Sequence, residues 1–257
     1  MAELRTFLSA ALLLLATLGG ALAQATVTGS ENRMERENAR TGDGRTVDGR
    51  TEEAPAGEVP AGEGPALRVV TFGTSLTARG GWQPALAQAL GACLGRPAIV
   101  ETVAQSGATS DWALGQMDRV AALKPDVVLV EFYANDAAIH RFISQSHSAR
   151  NIAAILDGLH RRLPHARVIV MAMNPMAGMR GMVRPFIDGY IQIHRAAAAE
   201  KGFEFIDFRP DWMALSQAAR HAAIPDGVHP LPEAAARIMA PRAAEAIASK
   251  TCRDGKL

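Results

Sequence analysis

Aromatic side chains make up only 5% of this 257-residue chain, cysteine occurs twice, and opposite charges nearly cancel to a formal net charge of +1. Each scarcity excludes something. Without a charge surplus there is no electrostatic footprint for nucleic acid, and no nucleic-acid partner is expected. His140, His147, His160, His165, His194 and His221 are scattered without ligand spacing and read as surface residues, so they suggest no metal site. Apolar side chains are not scarce. They reach 48%, carried by alanine and the aliphatics, which is enough for one sizeable core. The length suits one or two domains.

The first 66 residues stand apart from that core. "MAELRTFLSAALLLLATLGGALAQ" has a short head with Arg5, an apolar run from Phe7 to Leu18 and the A-x-A pattern Ala21-Leu22-Ala23. This is the pattern of a secretory signal peptide over residues 1–23. An uncleaved anchor is the competing reading, but the run is short for a membrane span and Gly19-Gly20 interrupts it. The protein is therefore expected to be exported, periplasmic or secreted, with no stable membrane insertion after cleavage. Residues 24–66 mix both charges with Gly, Pro and Thr and hold almost no large apolar side chains. Such a segment cannot bury enough surface to offset its ordering entropy, so it is expected to be a disordered linker.

From Leu67 onward, short β-branched runs alternate with helical stretches. Strands are expected at Leu67–Phe72, Ala98–Val103, Asp126–Phe132, Arg167–Met173 and Phe203–Phe208. Helices are expected near Gln83–Leu94, Asp111–Leu123, Ala149–Leu163 and Pro185–Lys201, with a last one after Pro232 that Pro241 should kink or restart. Continuous rather than alternating apolar strands imply burial on both faces. The expected fold is thus α/β, a doubly wound five-stranded parallel sheet with helices on both faces. In such sheets function lies outside the carboxyl ends of the strands.

Those ends carry chemistry. The first strand runs into Gly73-Thr74-Ser75, the second into "AQSGATSDW" around Gly107, and the third into "EFYAND" with Asn135 at its tip. The last loop, "IPDGVHPLPE", sets Asp226 and His229 three apart. A serine hydroxyl is a poor nucleophile until a base takes its proton. Imidazole suits that task near neutral pH if a carboxylate fixes its tautomer. An oxyanion then needs donors, which the N–H groups of Ser75 and Gly107 and the Asn135 amide could supply. Taken singly, each motif would more often be a plain turn or a capping loop. Their joint occurrence at successive strand ends points to acyl transfer. "MAMNPMAGMRGM" sets Met173, Met176, Met179 and Met182 three apart; thioethers could hold Cu(I), but an apolar wall beside the site, with Met176 in the pocket, is the reading adopted.

With "GTSLT", "QSGATS", "YAND" and "DGVHP" in this order, residues 67–252 resemble the SGNH hydrolases, the GDSL-type esterases and lipases. The resemblance implies a flavodoxin-like fold, Ser75 as nucleophile, Asp226 and His229 completing a triad, and Ser75, Gly107 and Asn135 as oxyanion donors. It implies no metal and no organic cofactor, and a small ester or acylated glycan as substrate. Two positions depart from the family pattern: Thr74 stands for the usual aspartate and Tyr133 for the usual glycine. Both are expected at the substrate pocket, where the Tyr133 ring would favour short acyl groups. An acyltransferase on the same residues and an inactive binding module remain the alternatives. In a flavodoxin-like order the first and last helices share one face of the sheet, so Cys93 and Cys252 are expected to form a disulfide. Residues 253–257 are a polar tail.

Overall fold

The computed structural model describes residues 64–248. The expected signal peptide, nearly all of the expected linker, Cys252 and the tail lie outside the described residues. Five strands form one parallel sheet: β1 (Leu67–Gly73), β2 (Ala98–Ala104), β3 (Val127–Glu131), β4 (Arg167–Ala172) and β5 (Glu204–Asp207), in the order β2-β1-β3-β4-β5. Order reverses after β1, so the crevice at the β1/β3 ends is the topological switch point where α/β sheets bind ligands. Gly73 pairs with both Ala104 and Glu131, which aligns the ends of these three strands.

Among the described residues the α-helices are α1 (Ser75–Ala78), α2 (Gln83–Leu94), α3 (Ser110–Leu114), α4 (Met117–Ala122), α5 (Tyr133–Asp136) and α6 (Gln145–Arg162). They continue with α7 (Gly178–Met182), α8 (Ile187–Glu200), α9 (Arg209–Met213), α10 (Gln217–Ala223) and α11 (Pro232–Ala248). Local chemistry sets several ends. Pro84 lies in the first turn of α2, and Gly95, at φ +62°, closes it in the left-handed conformation. Ser144 caps α6 by accepting from His147 N–H.

Side chains alternate along each strand, so the sheet buries two separate cores. Val69, Val127, Leu129, Ile169 and Met171 face α2 and α11, while Val70, Phe72, Val128, Val130 and Val170 face α6. Helices α2 and α11 pack directly on each other, as the expected topology requires. That packing also carries α11 through Pro241, so no second helix begins there. Its buried face, Met239, Ala240, Ala243, Ala244 and Ile247, gains more from burial than one missing helical hydrogen bond costs. The helix expected over Asp111–Leu123 is instead two, α3 and α4, parted at Gly115, whose N–H turns back to Trp112 O in a tighter turn. No cysteine is free among the described residues, and the expected Cys93–Cys252 bond involves a residue outside them.

Candidate active site

Thr74 caps the short helix α1 at the end of β1, so Ser75 stands at the head of a strand-to-helix turn. The turn is braced from below. Glu131, fully buried at the end of β3, accepts from Thr74 N–H at 2.6 Å, from Thr74 Oγ1–H at 3.0 Å and from Thr77 Oγ1–H at 2.8 Å. Burial pushes its carboxyl up to about 7 even though these donors pull the other way. Glu131 was not singled out from the sequence; a lone acid ending an otherwise apolar strand was the signal available.

Asp226 and His229 come from one tight loop. Asp226 Oδ1 accepts from Val228 N–H at 2.9 Å and His229 N–H at 2.7 Å, and Oδ2 lies 2.7 Å from His229 Nδ1. Gly227 sits at φ +77°, and a Cβ there would lie 2.3 Å from Ala177 O, so the turn needs glycine. Asn174, buried after β4, ties the loop down by donating to Val228 O at 2.9 Å. His229 Nε2 reaches Ser75 Oγ at 2.9 Å. A carboxylate only accepts, so Nδ1 carries the proton, Nε2 is the acceptor and the Ser75 hydroxyl donates. Burial works to raise the Asp226 carboxyl, but the bonds from the His229 side chain and from the two backbone N–H groups hold it well below the ordinary carboxylate range.

The other strand ends converge on this serine. Gly107, at φ +80°, turns the loop after β2, and Asn135 Nδ2 donates to Ala108 O at 2.8 Å, bridging β3 to that loop. Arg184 Nη2 lies 3.4 Å from Asn135 Oδ1, which orients the amide with its nitrogen toward the Gly107 loop. Among the described residues no protein group takes the N–H of Ser75 or of Gly107, and the Asn135 amide keeps a second N–H. Such an arrangement can move a proton from a serine to an imidazole and offer donors to a developing oxyanion.

Two expected pocket residues turn into the core. Thr74 is fully buried and turned down to Glu131, because its side chain is the helix cap. Tyr133 is also fully buried; its ring packs edge-on to His194, and its Oη accepts from Met173 N–H at 3.0 Å. Entering α5 from a buried strand turns that ring into the core. Met176 is partly buried against the core just before α7, and Met179 lines a cavity of about 520 Å³. That cavity, walled by Pro175, Ile224 and Pro225 with Arg180 and His221, touches the constellation through Asp226. The four methionines share no focus: Met173 is buried and Met179 and Met182 are exposed. Among the described residues no cluster of three His, Cys, Asp or Glu is placed to hold a metal. His194, read as a surface residue, is fully buried, and burial pulls its imidazole down to about 3. Its place in the run Tyr190, Ile191, His194, Ala197, Ala198 was a legible helical stripe.

A family model described as GDSL-like lipase/acylhydrolase matches residues 69–237. The chain belongs to that family. It is accordingly an enzyme, an ester hydrolase of the GDSL type. Solved structures of this fold match it over most of its length. The lipase/acylhydrolase from Enterococcus faecalis is 20% identical, with a TM-score of 0.57 over 70% of this chain and 96% of its own. A catalytic mutant of Axe2, an acetylxylan esterase from Geobacillus stearothermophilus, is 17% identical, with a TM-score of 0.59 over 74% and 95%. TesA is 20% identical, with a TM-score of 0.54 over 72% and 99%. Among curated proteins none matches the chain.

Proposed function

We propose that the protein is an exported hydrolase of carboxylic esters that works through an acyl-enzyme on Ser75. The observation that carries the reading is the unbroken line Asp226 Oδ2, His229 Nδ1, His229 Nε2, Ser75 Oγ, with links of 2.7 and 2.9 Å. His229 takes the Ser75 proton as Oγ bonds to the acyl carbon. The oxyanion is met by the N–H groups of Ser75 and Gly107 and the Asn135 amide. His229 then gives its proton to the departing alcohol. Water enters, loses a proton to His229, and the acid leaves as Ser75 is restored. Asp226 stays ionised throughout and steadies the imidazolium.

Short acyl or O-acetyl esters are the proposed substrates. The likeness of fold to an acetylxylan esterase supports this choice; the Tyr133 ring no longer does. Export rests on the apolar run and Ala21-Leu22-Ala23, and amino-terminal sequencing of the mature protein should begin at Gln24. A fluorophosphonate should label Ser75 and stop the hydrolysis of p-nitrophenyl acetate. A folded protein that turns over esters without taking the label would overturn the serine mechanism.

A further inference from the structure

The near-neutral total charge hides a local imbalance. Between Ala137 and Ile187 the sole acidic residue is Asp157, whereas Arg141, Arg180 and Arg184 stand in the loops after β3 and β4. Ile139 N–H donates to Val183 O at 2.9 Å, which ties those loops together beside the site. Each arginine lies against a different member of the constellation. Arg141 Nη2 is 3.0 Å from where a Cβ on Gly107 would be, so its guanidinium covers that glycine. Arg184 donates to Ala134 O at 2.6 Å and lies 3.4 Å from Asn135 Oδ1. Arg180 Nη1 is 3.5 Å from Asp226 Oδ2, the oxygen that already faces His229.

Asp226 is the only carboxylate that any of the three meets among the described residues, and the Arg141 guanidinium has neither hydrogen bond nor ion pair there. Burial, then the charges of Arg180 and Arg141, hold Arg184 below its ordinary value, so Arg184 sits within reach of both other cations. Three positive charges gathered around a reaction centre against one carboxylate leave a surplus that draws and holds an anion. A guanidinium fork matches the paired oxygens of carboxylate or phosphate.

Resting on the Ser75 hydrolase reading, we infer that the substrate is an ester carrying its own oxyanion, a carboxylate or phosphate, close to the scissile carbonyl, with Arg141 and Arg180 as its specificity-determining partners. Arg184, engaged by two backbone carbonyls, positions Asn135 and adds field. An O-acetylated sugar acid would meet both this requirement and the short acyl group proposed above.

Matched pairs of esters test the inference, each rate divided by its hydroxide-catalysed rate. On the alcohol side the pair is 4-acetoxybenzoate and 4-acetoxybenzamide, with 4-acetoxyphenyl phosphate as the phosphate arm. On the acyl side it is p-nitrophenyl hemisuccinate and p-nitrophenyl butyrate. The anionic member of at least one pair should be preferred in kcat/KM by roughly tenfold or more, a preference that shrinks with added salt. In Arg141→Gln or Arg180→Gln the ratio should fall toward unity. Equal or better use of the neutral member in both pairs, or a ratio unmoved by both variants, would overturn the inference while leaving the hydrolase reading intact. Should no ester be turned over and Ser75 take no fluorophosphonate, the hydrolase reading fails, and calorimetry decides the rest. Tighter binding of 4-acetamidobenzoate than of 4-acetamidobenzamide, lost in Arg141→Gln, sustains the anion site; equal or absent binding refutes it.

Discussion

Ser75, His229 and Asp226 meet at the carboxyl edge of the sheet, whereas Ser148, His194 and Asp136 meet in buried space between α5, α6 and α8. The residue types are the same, and the hydrogen bonds are 2.7 and 2.9 Å in the outer group against 2.7 and 3.1 Å in the inner one. In the inner group Ser148 Oγ–H donates to Asp136 Oδ2 at 2.7 Å, and His194 Nε2 lies 3.1 Å from Ser148 Oγ. The order differs. Serine stands in the middle of the inner group, so its proton is held by the carboxylate and His194 must donate from Nε2. His194 Nδ1 then lies buried with no partner, and burial keeps the ring neutral. In the outer group histidine stands in the middle, its far nitrogen free to accept, with partly exposed side chains. Order and access separate a proton relay from a structural clasp; the inventory of residues does not.

The comparison breaks first on turnover. Ser75→Ala and His229→Ala should each lower kcat by on the order of 10⁴-fold or more, because nucleophile and base act as a unit. Ser148→Ala should keep near wild-type kinetics in a folded protein. Steady-state rates on p-nitrophenyl acetate would reverse the assignment if Ser148→Ala were the dead one.

The second test is stability against pH. His194 falls from 6.5 to about 3 on folding, so the unfolded chain binds more protons between those values. Its contribution is full above pH 6.5 and is lost as pH drops toward 3, at most ~5 kcal/mol. Glu131 works in the opposite sense. Raised from 4.5 to about 7, it favours the folded state most below 4.5, and up to ~3 kcal/mol is lost as pH rises through 7. The wild-type curve is therefore flatter than either. Urea unfolding at pH 4.5 and 7 should show His194→Leu losing the acid-side penalty and Glu131→Gln losing the alkaline one.

Asn135→Ala sharpens the outer group itself. A side-chain oxyanion donor acts mostly in the transition state, so kcat should fall roughly a hundredfold to a thousandfold with KM little changed. A loss confined to KM would reassign Asn135 to ground-state binding. The smallest effect belongs to the inner group. Ser148→Ala leaves the His194 N–H without its acceptor and should cost about 1–3 kcal/mol in denaturant unfolding.

Legibility followed range. The strands could be placed within a residue or two because each is a short, largely apolar run, and α2 because Pro84 and Gly95 punctuate it. The Asp226–His229 pairing was visible because three residues of one loop contain it. Tyr133 and Thr74 turn into the core, because a side chain's direction at a strand end depends on what packs behind it. His194 lacks metal-ligand spacing, and its burial follows from the helical stripe of α8 to which it belongs. The arginines read as an interspersed solvated surface, since neither loop alone holds enough charge to stand out.

By itself the sequence determined the parallel α/β sheet, its order of strands and helices, and the candidates for nucleophile, base and carboxylate, for these follow from local periodicity and from motifs closed within one turn. Only the tertiary structure decided that Glu131 braces the serine turn, that Tyr133 turns inward and that Arg141, Arg180 and Arg184 gather on three corners of one site. Those contacts join residues far apart in the chain, and only the packing of β3, β4 and their loops sets which of them meet.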